Sequence, residues 1–254
     1  MAIIALRAWY LEDYEPIGEI VKRPHDLRLS RNSLLKSGLR ADFLDDRVEV
    51  ETSGWFRRYL AGETVEFYIE GSGGYAISNI DLISQEIYFT KQETTAALEP
   101  VIFFSYQREY PPASEMIREV LEEAIAQINE KSRHPLTLQL AARPTEAPLR
   151  LSSHQFRQIR KSLLVIFDGT PVSSLEGDKT PQLLLSPAVC AELGYALNYR
   201  RSGQVLLLQQ ERLEGQMPFD LMNLQQLSFK AAHELKKTLP PLLQTLLKPF
   251  HLVV

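Results

Sequence analysis

"SPAVCAELGYALNYRRSGQVLLL", residues Ser186 to Leu208, is the stretch on which the reading of this chain turns. At about 100° per residue, Val189, Cys190, Leu193, Ala196, Leu197 and Tyr199 form one apolar arc of a helix. Glu192 falls inside the edge of that arc, near the start of the helix. A partly desolvated acid costs free energy unless a partner or a reaction uses it. "LLVIFDGT" (Leu163–Thr170) precedes the helix and "QVLLLQ" follows it, and both read as buried strands. Such a strand–helix–strand crossover belongs to a parallel sheet, and ligands collect outside the carboxyl ends of its strands. Glu192 is therefore expected beside a cleft, with Asp168 and Thr170 at the end of the preceding strand. The connection from Gly169 to Ser186 exceeds the usual handful of residues and reads as a lid or a partner surface.

Working outward, the rest of the second half alternates in the same way. "VIFFSY" is a compact apolar strand. "PASEMIREVLEEAIAQINEK" carries Ile117, Val120, Leu121, Ala124, Ile125 and Ile128 at helical spacing behind Ser114, a cap candidate. "LTLQLAARP" reads as a strand and "SSHQFRQIRKS" as a short helix. The last stretch, "LSFKAAHELKKTLPPLLQTLLKPF", reads as helical with an interruption at Pro240-Pro241. Residues 100–254 are thus predicted to be α/β, a parallel sheet covered on both faces.

Residues 1–92 follow a different grammar and read as a small β-rich domain, a barrel or a sandwich. "ETVEFYIEG" alternates Val65, Phe67 and Ile69 against polar neighbours. "SGWFRRYL" before it is a plausible hairpin partner, "GGYAISNIDLIS" and "EIYFT" give further strands, and "MAIIALRAWYL", "IGEIVK" and "RVEVE" earlier ones. "RLSRNSLLKSGLRADFL" fits a helix or a long loop. "TKQETTAALEP" (Thr90–Pro100) has linker composition.

Composition bounds the function. The chain has 254 residues, 44% hydrophobic and 24% charged, as a globular protein with a full core does. Its apolar runs are too short to span a bilayer, and the N-terminus lacks a basic leader and a cleavage site. A net charge of -4 argues against binding nucleic acid through phosphate contacts. Residues 1–99 carry 11 Lys and Arg against 17 Asp and Glu, residues 100–254 carry 17 against 15, so the second half is the better host for an anionic ligand. The single Cys190 makes no internal disulfide, the five histidines lack metal-ligand spacing, and the expectation is a cytoplasmic protein without a metal. "EGSGGY" joins two strands, opens no helix and has no Walker lysine, so it reads as a hairpin turn. "HELKK" at His233 lacks the second histidine of a zinc protease helix.

Four pieces in order carry a resemblance. "SPAVCAELGYAL" is similar to the Asn-Val-x-x-Glu-Leu-Gly-Tyr-Ala helix of TIR-like nucleotide-binding domains and nucleoside 2-deoxyribosyltransferases. "VIFFSYQRE" resembles the first strand and loop of TIR domains, "IRKSLLVIFDGT" the strand that ends in Asp-x-Thr, and "MPFDLMNLQQLSF" the Pro-Phe-Asp-Leu segment before an edge strand. The resemblance covers roughly Val101 to the C-terminus and implies a flavodoxin-like fold. Enzymes of this superfamily cleave N-glycosidic bonds, TIR enzymes in NAD and the transferases in deoxynucleosides, with a glutamate in this helix. The resemblance therefore implies an N-glycosidase in which Glu192 stabilises or attacks an oxocarbenium-like ribosyl centre. NAD or a related nucleotide would be substrate, no cofactor is implied, and self-association and a place in bacterial immune signalling are the family-level expectations.

Around Glu192, candidate substrate-binding residues are Ser105 and Tyr106 after the first strand, Arg143 at a strand end where a phosphate would meet it, Asp168 and Thr170, and Asp220 in "PFDL". Each has a plainer reading: a strand exit, a solvated loop, Asp-Gly-Thr turn chemistry. Glu192 itself fits a helix-start acid paired with Arg200 or Arg201. Ala188 stands where the family helix has Asn. The second expectation is thus a non-catalytic module that binds a nucleotide or docks a partner, and the third is deoxyribosyl transfer. A catalytic Glu192 should open onto a cleft, and a structural one should be tied up by arginine.

Overall fold

The computed structural model describes residues 5–34, 38–92, 95–144, 152–176, 180–219 and 224–252. They form two compact units, Met1–Leu98 and Glu99–Val254. The first is a closed barrel built from β1 (Ala5–Tyr10), β2 (Leu27–Leu34), β3 (Gly38–Phe43), β4 (Glu66–Ile69), β5 (Gly73–Asp81) and β6 (Glu86–Lys91). They pair in the order β1-β2-β3-β6-β5-β4, and β4 closes antiparallel on β1. Alternation drives this closure: Leu39, Ala41 and Phe43, Phe67 and Ile69, and Ile87 and Phe89 all join one buried cluster.

Three predicted strands of this unit are short helices. "IGEIVK" holds α1 (Ile17–Ile20), "RVEVE" holds α2 (Arg47–Thr52), and "SGWFRRYL" holds α3 (Gly54–Leu60). Capping decides two of them. The Asp46 carboxylate accepts from Val48 N at 2.8 Å and Ser53 Oγ accepts from Phe56 N at 3.2 Å. One helical turn then sends Trp55 and Phe56 into the barrel core, with Trp55 edge-on to Phe67 at 5.2 Å. A five-residue alternation cannot by itself exclude that outcome. The segment left as helix or loop is the β2–β3 hairpin. The linker-like stretch is largely structured, because β6 runs to Lys91 and the next strand begins at Glu99.

The second unit is a five-stranded parallel sheet of β7 (Glu99–Ser105), β8 (Thr137–Leu140), β9 (Ser162–Asp168), β12 (Val205–Gln210) and β13 (Gln225–Phe229). A two-stranded antiparallel hairpin, β10 (Ser173–Leu175) and β11 (Gln182–Leu184), occupies the long connection after β9. The sheet order is β13-β12-β9-β7-β8. Read from the first strand, this is the 2-1-3-4-5 order of flavodoxin-like folds, with the chain reversing direction across the sheet between β7 and β9. Helix α4 (Pro111–Asn129) packs with α7 (Ala232–Leu247), and α5 (Ser153–Lys161) packs with α6 (Pro187–Tyr199). All seven residues of β9 are buried, as a central strand between two helix layers requires.

Two expectations about helices change. Ser114 lies inside α4, which begins at Pro111 behind Tyr110 with no side-chain cap. Helix α7 runs unbroken through Pro240 and Pro241. The prolines free carbonyls four residues earlier, on the exposed Lys236 and Lys237, where water satisfies them. Leu235, Leu239 and Leu243 meanwhile keep one buried stripe.

Candidate functional site

Helix α6 starts at Pro187, which has no N–H to lose, and buries Val189, Leu193 and Ala196 along one face. Glu192 belongs to that face and is 0% exposed. It stands in the second turn, beside the carboxyl end of β7. Four hydrogen bonds reach its two oxygens. Arg143 forks onto them, Nη1 to Oε1 at 2.7 Å and Nη2 to Oε2 at 2.8 Å. Ser105 Oγ donates to Oε2 at 2.5 Å, and Gln155 Nε2 donates to Oε1. A carboxylate has about four lone-pair positions, so this one is saturated.

Arg143 is equally complete. Its Nε donates to Tyr106 O at 3.0 Å, and its remaining Nη hydrogens meet Ala142 O at 3.2 Å and Ser105 Oγ at 3.3 Å. Its guanidinium carbon lies 5.3 Å from the centroid of the Tyr106 ring, and its side chain is 3% exposed. The Ala-Ala-Arg-Pro sequence helps to place it: Pro144 disfavours helical backbone at Arg143, so the chain leaves β8 extended. A buried ion pair is tolerated only when its hydrogen bonds are all made, and here they are. The expected partners of Glu192, Arg200 and Arg201, do not serve. Arg200 lies about 12 Å farther along the helix at 1.5 Å per residue. Its guanidinium instead donates to the carbonyls of Arg160, Ser162 and Leu163.

Asp168 and Thr170 end β9 and are both 0% exposed. Asp168 Oδ2 accepts from Ser114 Oγ at 2.5 Å and Oδ1 from Thr170 N at 3.0 Å. Thr170 Oγ1 accepts from Gln210 N at 3.0 Å, and its carbonyl accepts from Gln107 Nε2 at 2.8 Å. Burial pushes the Asp168 carboxyl above the usual aspartate range, and the bonds from Ser114 and Thr170 oppose it. Gly169 sits between them because a Cβ there would fall 2.6 Å from the Leu207 side chain. Both residues predicted to touch substrate are thus engaged by the protein itself. Asp220 lies outside the described residues.

An open pocket of about 370 Å³ adjoins this edge between the ends of β7 and β8 and the start of α4, lined by Phe104, Tyr106, Gln107, Arg108, Arg118 and Leu140 among others. Gln107 Oε1 is buried and has no hydrogen-bond partner among the described residues. Two prolines open α4, so its first turn offers fewer N–H groups to an anion than most helices do. Arg108, whose Nη1 donates to Pro144 O, and Arg118, which pairs with Glu122, are the cations here, and Glu115 adds a carboxylate to the lining. Tyr106 joins the pocket to the Arg143–Glu192 pair, since its ring serves both.

Of the sequence candidates, Ser105, Tyr106, Arg143 and Glu192 come together, and Asp168 and Thr170 form a separate network. Sequence reasoning missed Gln155, Gln107, Arg108 and Arg118. Gln155 did carry a signal, because Ser152-Ser-His-Gln is a capping-box pattern. The Ser152 hydroxyl caps Gln155 N at 3.2 Å, but the Gln155 side chain goes to Glu192.

Among the described residues no group of three or more His, Cys, Asp or Glu is placed to hold a metal, and no helix is long and apolar enough to cross a membrane. No protein-family model matches the chain, and no curated protein does. Seven chains of solved structures match. One is a flavodoxin from the domain Archaea, with a TM-score of 0.33 and 8% identity, covering 57% of this chain and 98% of the flavodoxin.

Proposed function

We propose that the second unit is a nucleotide-binding module whose Glu192 is structural in the conformation described. One observation carries this reading: the Glu192 carboxylate is 0% exposed and spends every acceptor position on Arg143, Ser105 and Gln155. A carboxylate that stabilises an oxocarbenium-like centre must face it, and this one faces a guanidinium. The ligand's place is the pocket at Tyr106. At about 370 Å³ it lies within the range of small-molecule sites. Phe104, Tyr106 and Leu140 offer an apolar and aromatic wall for a base, Arg108 and Arg118 offer forked donors for phosphate, and Gln107 Oε1 is an acceptor still to be used.

The second reading is the N-glycosidase that acts on NAD or a related nucleotide. It is favoured by the position of Glu192, against Ser105 where β7 meets its ligand edge, and it requires Arg143 to leave. Deoxyribosyl transfer would need the same opening. Two measurements separate these readings. Calorimetric titration with AMP, ADP-ribose and NAD should show binding that Arg108→Ala and Arg118→Ala each weaken by about tenfold. Incubation of concentrated wild-type protein with NAD should release no nicotinamide. Release that disappears in Glu192→Gln would overturn the module in favour of the glycosidase, and base exchange between deoxynucleosides would favour the transferase.

A further inference from the structure

We infer that Arg143 is an internal occupant of a planar-cation seat, and that its departure is what would expose Glu192. The seat is built from residues of three segments: the carboxylate of Glu192 on α6, the amide of Gln155 on α5, and, at the end of β7, the hydroxyl of Ser105 and the ring of Tyr106 after it. The guanidinium lies over that ring at 5.3 Å and presents two parallel donors to one carboxylate at 2.7 and 2.8 Å. Nothing in that arrangement depends on the cation being attached to the chain. A flat delocalised cation, a guanidinium or an N-alkylated pyridinium, has the shape and charge the seat fits, because stacking on an aromatic face and pairing with a carboxylate are both properties of such ions. Arg143 leaves β8 in irregular backbone, whereas Glu192 and Gln155 are on helices and Ser105 ends a strand. All of the seat but Tyr106, which follows β7 directly, is thus carried by regular elements, and its occupant by the connection.

The start of α6, just before Glu192, holds a second internal charge. Ser186, the residue before the helix, uses its hydroxyl on Glu109 Oε1 at 3.0 Å instead of capping, and Glu109 Oε2 accepts from Arg108 N at 3.0 Å. An internal carboxylate therefore lies at the helix start, where an anion is favoured. Ser186 and Glu192 are about 9 Å apart along the axis at 1.5 Å per residue. A ligand with a cationic ring and an anionic group would meet both charges already supplied by the protein.

The test replaces the occupant. Arg143→Ala and the double variant Arg143→Ala with Glu192→Gln are titrated with methylguanidinium, N-methylpyridinium and tetramethylammonium at millimolar concentration, followed by calorimetry and thermal melting. The single variant is expected to bind one methylguanidinium per chain, at least about tenfold more tightly than wild type or the double variant does. N-methylpyridinium should bind more weakly, having no donors to fork, and the non-planar tetramethylammonium weakest. Equal binding to the single and double variants, or no preference for planar ions, overturns the inference. If Arg143→Ala does not fold alone, recovery of its native circular dichroism on adding methylguanidinium supports the seat, and failure to recover while the double variant folds overturns it. The inference rests on reading this edge as a ligand site. Failure of that reading appears separately, as absence of nucleotide binding by wild-type protein whatever the small cations do.

Discussion

Glu192 and Asp168 stand at the same edge of one sheet, both fully buried, and the two sides of that edge treat them differently. On the side of α5 and α6, Glu192 meets four donors, two of them from one cation. On the side of α4, Asp168 meets the Ser114 hydroxyl, the Thr170 backbone N–H and the polar side chains of Thr170 and Gln107, none of them a cation. The divergence begins with strand alternation. Phe103 and Phe167 point into the cluster under α6, so Ser105, in step with Phe103, reaches Glu192, while Asp168, out of step with Phe167, points to Ser114 on α4. Burial of an acid is therefore not one condition. Pairing with a guanidinium satisfies one carboxylate, whereas desolvation pushes the other toward the neutral form.

The contrast breaks most visibly at Arg143. Arg143→Met leaves a buried carboxylate without its counter-ion and is expected to cost about 3–5 kcal/mol of stability by urea unfolding. Adding Glu192→Met to it should return most of that loss, because the apolar pair no longer buries a charge. Equal losses in the single and double variants would show that packing around the guanidinium, and not the charge pair, is what holds α6 to the sheet.

The hydroxyls sharpen the contrast at a smaller scale. Ser114→Ala removes the donor to Asp168 Oδ2 and also the acceptor for Gln107 N at 3.1 Å, and is expected to cost about 1–3 kcal/mol. Ser105→Ala should cost less, about 0.5–1.5 kcal/mol, since Arg143 still covers both oxygens of Glu192. Parallel urea unfolding of the two variants checks the order. A larger loss at Ser105 would mean that the arginine fork depends on that hydroxyl for its alignment.

The two sides were not equally legible in the sequence. Glu192 announced itself as an acid inside an apolar arc, and the parallel sheet followed from alternating strands and helices. Periodicity is a property of one element, and both readings used only that. The partner of Glu192 was not legible by the same means, because Arg143 arrives from β8, 49 residues away. Sequence proximity favoured Arg200 and Arg201, and they sit two turns of helix or more from the carboxylate. Asp168 and Ser114 are 54 residues apart, and Ser114 looked like a cap because a serine before an apolar helical run is a common start signal. The prolines at positions 111 and 112 were the contrary clue, since proline is favoured in the first helical turn and sets the start three residues earlier. In the barrel, "SGWFRRYL" misled because three aromatic residues in a short run suit a strand as well as a short helix. The Ser53 cap is the signal that separates them.

The smallest effect is the one that tests the Asp168 side alone. Its carboxyl is raised above the ordinary aspartate value, chiefly by burial, so the folded protein holds that proton more tightly than the unfolded chain does. Stability from this group is therefore full below the unfolded value, about pH 4, and falls as pH rises through the folded one. Asp168→Asn removes the titration while keeping an acceptor for Thr170 N. Its amide can donate to Ser114 Oγ, which then turns its own proton to Gln107 O, 3.1 Å away. The variant should equal wild type in acid and exceed it modestly toward neutral pH. Half-buried acids such as Glu70 and Asp81, held below their usual values by Arg7 and by Ser84, respectively, bend the wild-type curve the other way. They are common to both proteins, so the difference between two pH series of urea midpoints isolates Asp168. A gap that is constant with pH would mean that Asp168 keeps an ordinary titration despite its burial.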